Sequence, residues 1–279
     1  MIAVWLALGA SVAWGFADFT AGFKSRTLGV LVVLAIAQVS GLLLVSIVVA
    51  ARGHGPGGQT VLWAVPAAVA GTLGLVAFLR SMAVGTISIV APIVGVSAVV
   101  PVGYGLLRGD RPSWIQGAGV VLALVGVLAA SRETGEAGVA RSRVAAGVGL
   151  ALLAALGFGC YFPLMHAARD ADVFWTVLLF RGISSTMVLG AFAILRPRAA
   201  LSRSDVPLLV LVGAGDVAGN VLFTTAASHG LVSLVSVLSS LYPVVTIALA
   251  WVVLRERLAP MQRVGVAVVL AGVAAIAAG

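Results

Sequence analysis

Charge is scarce in this chain. Only 9% of its 279 residues are Asp, Glu, Lys or Arg, against roughly 25% in a soluble globular domain. That shortage excludes a protein whose whole surface meets water. Cys160 is the only cysteine, so neither an intramolecular disulfide nor a Cys-based metal site can form. Inside an apolar run it reads as a small packing residue. His54, His166 and His229 are scattered. His166 and Asp170 alone reach ligand spacing, and they straddle a helix end, so no metal is expected. No GxxxxGK[ST] loop occurs, and no nucleotide or other cofactor is expected. No loop gathers basic residues with aromatics, which argues against nucleic acid as a partner.

Apolar length is what the chain has in abundance. Its hydrophobic fraction is 61% and its mean hydropathy +1.17. Apolar runs recur at about 20 residues, the span of a bilayer core. A β-barrel would show short alternating segments instead. Ten spans can be read, roughly 2–22, 29–51, 60–82, 86–107, 113–131, 144–167, 173–195, 206–228, 231–254 and 260–278. The loops between them are short, beginning with KSRT at 24–27. The amino-terminal segment could pass for a signal peptide but lacks a basic leader. The net charge of +8 comes from 17 basic residues, all arginine except Lys24. They sit mainly in loops, where they meet anionic head groups and set orientation.

The chain also repeats itself at about half its length. Asp110, Gln116, Gly119 and Gly126 fall on Glu256, Gln262, Gly265 and Gly272. Phe78, Gly85 and Ser88 fall on Phe223, Gly230 and Ser233, and Gly15 on Gly159. The amino-terminal segment aligns with Ala151–Phe162, so it is expected to remain as a first helix. The expected organisation is a first repeat at 1–131, a central loop at 132–143 and a second repeat at 144–279. Five helices per repeat is an odd number, so the second half enters the membrane from the opposite side. The fold class expected is an all-α membrane protein of ten transmembrane helices in two inverted five-helix repeats, with alternating access around a site near mid-membrane.

The segment SLVSVLSSLYPVVTIALAWVVLRERLAPMQRVGVAVVLAGV resembles the EamA repeat of the ten-helix drug/metabolite transporter superfamily. The matching features are Pro243, Glu256, Gln262, Gly265 and Gly272, together with the Trp14-Gly15 pair in the first helix. The first half departs from the pattern, with Ala98 opposite Pro243 and Asp110 in place of the usual Glu. The resemblance implies a central cavity and transport, often export, of small metabolites. It also implies termini in the cytoplasm. The charge distribution favours the reverse, since Lys24, Arg26, Arg141, Arg143, Arg196, Arg198 and Arg203 would then lie outside.

Polar residues within spans carry the functional reading, because an ionisable group at mid-membrane costs at least roughly 2.5–3.5 kcal/mol. Asp216 lies mid-helix in GAGDVAGN, with Asn220 one turn on along the same face. Gly215 and Gly219 make a surface that another helix can approach closely. Asp216 reads either as a cavity carboxylate, for protons or a cation, or as a packing site with an ion-paired acid. Arg181 is expected to pair with Asp216 or share its cavity, and its repeat partner is Gln38. Asp18 and Arg80 form a second candidate pair, read as a gate or latch, or as snorkelling to the interface. Ser233, Ser236, Ser240 and Pro243 form one stripe, with Tyr242 beside the proline break. Tyr161 is placed with the cavity residues. The expected substrate-contacting set is Trp14, Asp18, Gln38, Arg80, Tyr161, Arg181, Asp216, Asn220, Ser240 and Tyr242.

The function this supports is secondary active transport of small organic metabolites, as an exporter, by a multi-pass protein of the cytoplasmic membrane. Its partners are a small-molecule substrate, the lipid bilayer and protons. An alternative is a flippase for a lipid-linked carrier, which favours a cavity open sideways to lipid. An integral-membrane enzyme would need a clustered catalytic constellation at the membrane surface, and none is evident.

Overall fold

The computed structural model describes residues 2–51, 55–100, 103–104, 113–130, 139–168, 173–197, 201–229, 235, 238–239, 241–255 and 260–278. The helices are α1 (Ile2–Leu28), α2 (Val30–Ala50), α3 (Gly58–Val84), α4 (Ile87–Gly95), α5 (Trp114–Ala130), α6 (Val139–Ala168), α7 (Val173–Leu195), α8 (Asp205–His229), α9 (Tyr242–Leu249) and α10 (Pro260–Ala278). A 3₁₀ turn, Val96–Ala98, continues α4, and a π turn, Ala250–Leu254, continues α9. No strand occurs among the described residues.

Six of these helices are long and apolar enough to cross a bilayer among the described residues: α1, α2, α3, the Gly147–Met165 part of α6, α7 and α8. Tyr242–Leu254 and Arg263–Ala275 are shorter apolar helices. Leu43, Ile47, Leu62, Leu153, Leu156, Ile194 and Trp251 are exposed, and continuous apolar exposure of this kind suits contact with lipid tails. The protein is an all-helical, multi-pass integral membrane protein.

The interior is built from small residues. On α1, Ala3, Ala7, Ala10, Trp14, Ala17 and Ala21 are buried at steps of three and four. Lipid supplies no hydrophobic drive between helices, so close backbone approach and van der Waals packing must hold them together. Helix α3 meets α6 where Gly74 faces Gly157; a Cβ on Gly157 would lie 2.7 Å from the Gly74 Cα. Helix α8 lies on α1 in the same manner, with Ala13 and Ala17 against Gly215 and the Trp14 indole against Gly219.

These contacts are reciprocal. α1 packs on α8 as α6 packs on α3, α2 on α8 as α7 on α3, and α1 on α9 as α6 on α4. α2 meets α7, α4 meets α9, and α5 meets α10.

Some expected boundaries are corrected. The first helix runs on to Leu28, so the KSRT segment is helical rather than a loop. Its charges are used there. Lys24 Nζ lies 2.7 Å from Asp205 Oδ1 at the start of α8. Arg26 donates to the Met82 and Gly85 carbonyls at 3.2 and 3.1 Å, meeting the end of α3. Helix α6 begins at Val139, inside the stretch expected as central loop. Pro243 stands in the first turn of α9, after helical residues Leu238 and Ser239 and a turn at Leu241, where its missing N–H costs nothing. In the first half, Val96–Ala98 winds as 3₁₀ at the position opposite Pro243. Glu256, Asp110, Arg108, Ser233 and Ser236 lie outside the described residues.

Candidate functional site

A chain of side-chain hydrogen bonds crosses the interior. The Tyr161 hydroxyl on α6 donates to the Asn220 Oδ1 on α8. Asn220 Nδ2 donates one turn back, to the Asp216 carbonyl at 2.6 Å and its carboxylate at 3.3 Å. The Asp216 carboxylate accepts from the Arg181 guanidinium on α7. A second nitrogen of Arg181 donates to the Gln38 Oε1 on α2. Gln38 Nε2 donates to Ser184 Oγ at 2.5 Å, and Thr72 Oγ1 on α3 donates to the same oxygen at 2.7 Å. Five helices from both halves are tied by one network.

The expected pairing of Arg181 with Asp216 is present. The Arg181 residue is 1% exposed, so its charge depends on that carboxylate. Gln38 and Arg181, matched positions of the repeat, touch each other directly. Asn220 shares the Asp216 face as helical spacing requires.

The network borders a cavity of about 60 Å³, with polar and aromatic walls. Trp14, Asp18, Gln38, Tyr161, Asp216, Asn220 and Tyr242 line it, which brings together most of the residues singled out from sequence. Arg181 lines a smaller adjoining space of about 20 Å³ with Asp18, Gln38 and Asp216. The aromatic residues around the cavity form two clusters, the first reaching behind the lining to Phe223. Trp14, Phe162 and Phe223 pack within 5.2–6.3 Å of one another, centre to centre. Tyr161 meets Phe180 edge-on at 5.2 Å, and Phe158 meets Tyr242 at 6.5 Å and 84°. Offset and edge-on pairs of this kind fix the ring positions.

Two expectations take a different form. Asp18 and Arg80 do not pair. Asp18 faces the cavity, whereas Arg80 is exposed and lines a groove between α2, α3 and α7 with Val76, Met187 and Leu195. Matching depth along parallel helices leaves the rotation of each helix free, and α3 turns Arg80 away. Ser240 lies outside the described residues. Thr72, Ser184, Phe158 and Phe180, none of them singled out from sequence, also line the cavity. Ser184 is one turn beyond Arg181, and Phe158 one turn before Tyr161, so helical spacing carried a signal for both.

The profile of the EamA-like transporter family matches the chain twice, at residues 1–132 and 145–278. The chain belongs to the EamA-like transporter family. Each match spans one half, so the cavity of this EamA-like protein is assembled from both family repeats. A solved crystal structure of a protein shares the fold of this chain with a TM-score of 0.71, at 16% identity, over 98% of this chain and 95% of its own. No curated protein sequence matches the chain.

Proposed function

We propose that this EamA-like protein is a secondary active transporter that exports small organic metabolites across the cytoplasmic membrane by alternating access. The observation that carries the proposal is the network linking Tyr161, Asn220, Asp216, Arg181, Gln38, Ser184 and Thr72 around an aromatic cavity. In-span polar groups serving only separate helix contacts would have no reason to converge on one space. The substrate set we propose is Trp14, Asp18, Gln38, Tyr161, Arg181, Asp216, Asn220, Ser240 and Tyr242, with Arg80 assigned to the lateral groove instead. Ten spans in two inverted halves are part of the same proposal. The reciprocal packing of α1 on α8 and α6 on α3 supports it, as does the contact of Gln38 with its repeat partner Arg181. A pair of matched halves gives two conformations of similar energy, one open to each side. A proton or substrate gradient supplies the motive force.

The test is flux of a broad panel of amines, amino acids and organic acids in everted vesicles, with and without the protein. At least one solute should accumulate only with the protein and collapse with the gradient. Equal behaviour of both vesicle types across the panel refutes transport.

A second reading is favoured by one observation. The groove beside Arg80 has a volume of about 530 Å³, and Thr72 lines both it and the central cavity. One residue thus borders both spaces, and a lateral opening there would suit a flippase for a lipid-linked carrier. Val76→Trp fills the groove from a residue that lines it and not the central cavity. It should leave flux of a water-soluble substrate intact, but stop the movement of a lipid-linked one.

A further inference from the structure

The transport reading leaves open which solute the cavity accepts, and its charge inventory narrows the choice. A zwitterion such as an amino acid would be the natural cargo if Arg181 and Asp216 were both free. They are not, because each is bound to the other. Their charges cancel within the wall, and Gln38 and Asn220 occupy more of their hydrogen-bonding capacity. Asp18 is different. It lines the cavity from α1, and it makes no hydrogen bond or ion pair among the described residues. Arg80, the cation expected beside it, lies in the lateral groove. The cavity therefore holds one carboxyl group that no protein cation pairs, and a cationic cargo would meet it as counter-ion once its proton has left.

The surroundings of Asp18 suit a particular counter-ion. Trp14 is one turn back on the same helix, and Phe158 and Tyr242 line the same cavity. Their ring faces attract a cation and tolerate its methyl or methylene groups, which a water-lined site does not favour. The Tyr242 hydroxyl is buried without a hydrogen-bond partner, so it has a proton to offer an acceptor on the cargo. The cavity of about 60 Å³ compares with roughly 10–15 Å³ for one water on that measure, which limits the cargo to a compact molecule of several heavy atoms. We infer that this cavity binds a compact organic monocation, an ammonium bearing one hydrogen-bond acceptor, with its charge on Asp18 between the rings of Trp14, Phe158 and Tyr242. The inference rests on the transport reading and assigns that site its substrate class.

The test uses the full chain in proteoliposomes with three labelled solutes of similar shape: choline, the zwitterion glycine betaine and the anion 3,3-dimethylbutanoate. The wild-type protein should carry choline in preference to the other two. Asp18→Asn should lower choline flux roughly tenfold or more, the worth of a charge-assisted contact, and Asp18→Glu should keep most of it. The Asn variant should remain monodisperse with unchanged melting, since Asp18 has no partner to lose. If that variant nonetheless fails to fold, the wild-type ranking of the three solutes decides. Transport of betaine or dimethylbutanoate but not choline overturns the inference and leaves the transporter reading standing. Choline flux unaffected by Asp18→Asn overturns it also. If none of the three solutes moves, the inference falls, and the broad flux panel decides the transporter reading separately.

Discussion

Replacing Asp216 with Asn removes one charge of a pair and strands the other. Arg181 is 1% exposed and its Nε is already without a partner, so the guanidinium cannot turn to water. Breaking a buried pair from one side costs about 3–5 kcal/mol. At roughly 2–4 °C per kcal/mol for chains of comparable size, apparent melting in detergent should fall by on the order of 10 °C. The double variant Arg181→Gln with Asp216→Asn removes both charges and puts into α7 the residue that Gln38 already supplies from α2. Neutral replacement of a buried pair is often close to neutral in stability, so the double variant should melt within about 1–2 kcal/mol of wild type. The coupling is the sum of the two single costs less that of the double variant; with each single about 3–5 kcal/mol it reaches about 4 kcal/mol or more, above the roughly 0.5–3 usual for residues in direct contact. The assay is thermal unfolding followed by size-exclusion chromatography, with the four proteins in one detergent. If Asp216→Asn melts with wild type, or the double variant loses the sum of the two singles, the pair does not bear the weight assigned to it.

Other expectations concern different parts of the molecule. Gly157→Val drives a side chain into the backbone of α3 at Gly74 and should cost at least about 1–3 kcal/mol; Gly149→Ala on the same helix meets open space and should melt like wild type. Tyr161→Phe leaves Asn220 Oδ1 without its donor and should cost about 1–3 kcal/mol in the same melting assay, while the Arg181–Asp216 pair persists. Lys24→Cys with Asp205→Cys, joined by a short disulfide-containing bifunctional reagent in a Cys160→Ser background, should tie α1 to α8 and stop flux, with recovery on reduction. Unchanged flux after complete cross-linking would show that these helix ends do not separate during transport.

Much of the site was legible because membranes make charge expensive. An arginine and an aspartate at mid-span in consecutive helices had few ways to persist, and pairing was the simplest. Asn220 followed from helical spacing alone. The Asp18–Arg80 expectation shows where that reasoning stops. Depth can be counted along a sequence, but the rotation of a helix depends on which neighbours it packs against, and α3 presents Phe78 and Leu79 inward while Arg80 is exposed. Hydroxyls were the hardest to find. Thr72 and Ser184 look like any threonine or serine in an apolar helix, where bonding back to their own backbone is common; only the meeting of Thr72 and Gln38 at the Ser184 oxygen gives them a role. Helix ends misled for a related reason. Lys24 and Arg26 read as loop because they are charged, yet the helix continues through them, with Asp205 and the carbonyls at the end of α3 as their partners. Long side chains let a helix carry charge past its apolar stretch.

The contact between Gln38 and Arg181 bears on how such a protein could arise. Two identical five-helix subunits would bring the same residue to both sides of this point. A glutamine there meets a glutamine, and each can donate and accept. An arginine there would meet an arginine, with like charges forced together where water cannot screen them. One cation at the centre, held by Asp216 where the other half has only Gly71, is therefore open to a chain in which each half mutates independently. Joining two such halves in one chain would remove the requirement that every substitution be made twice.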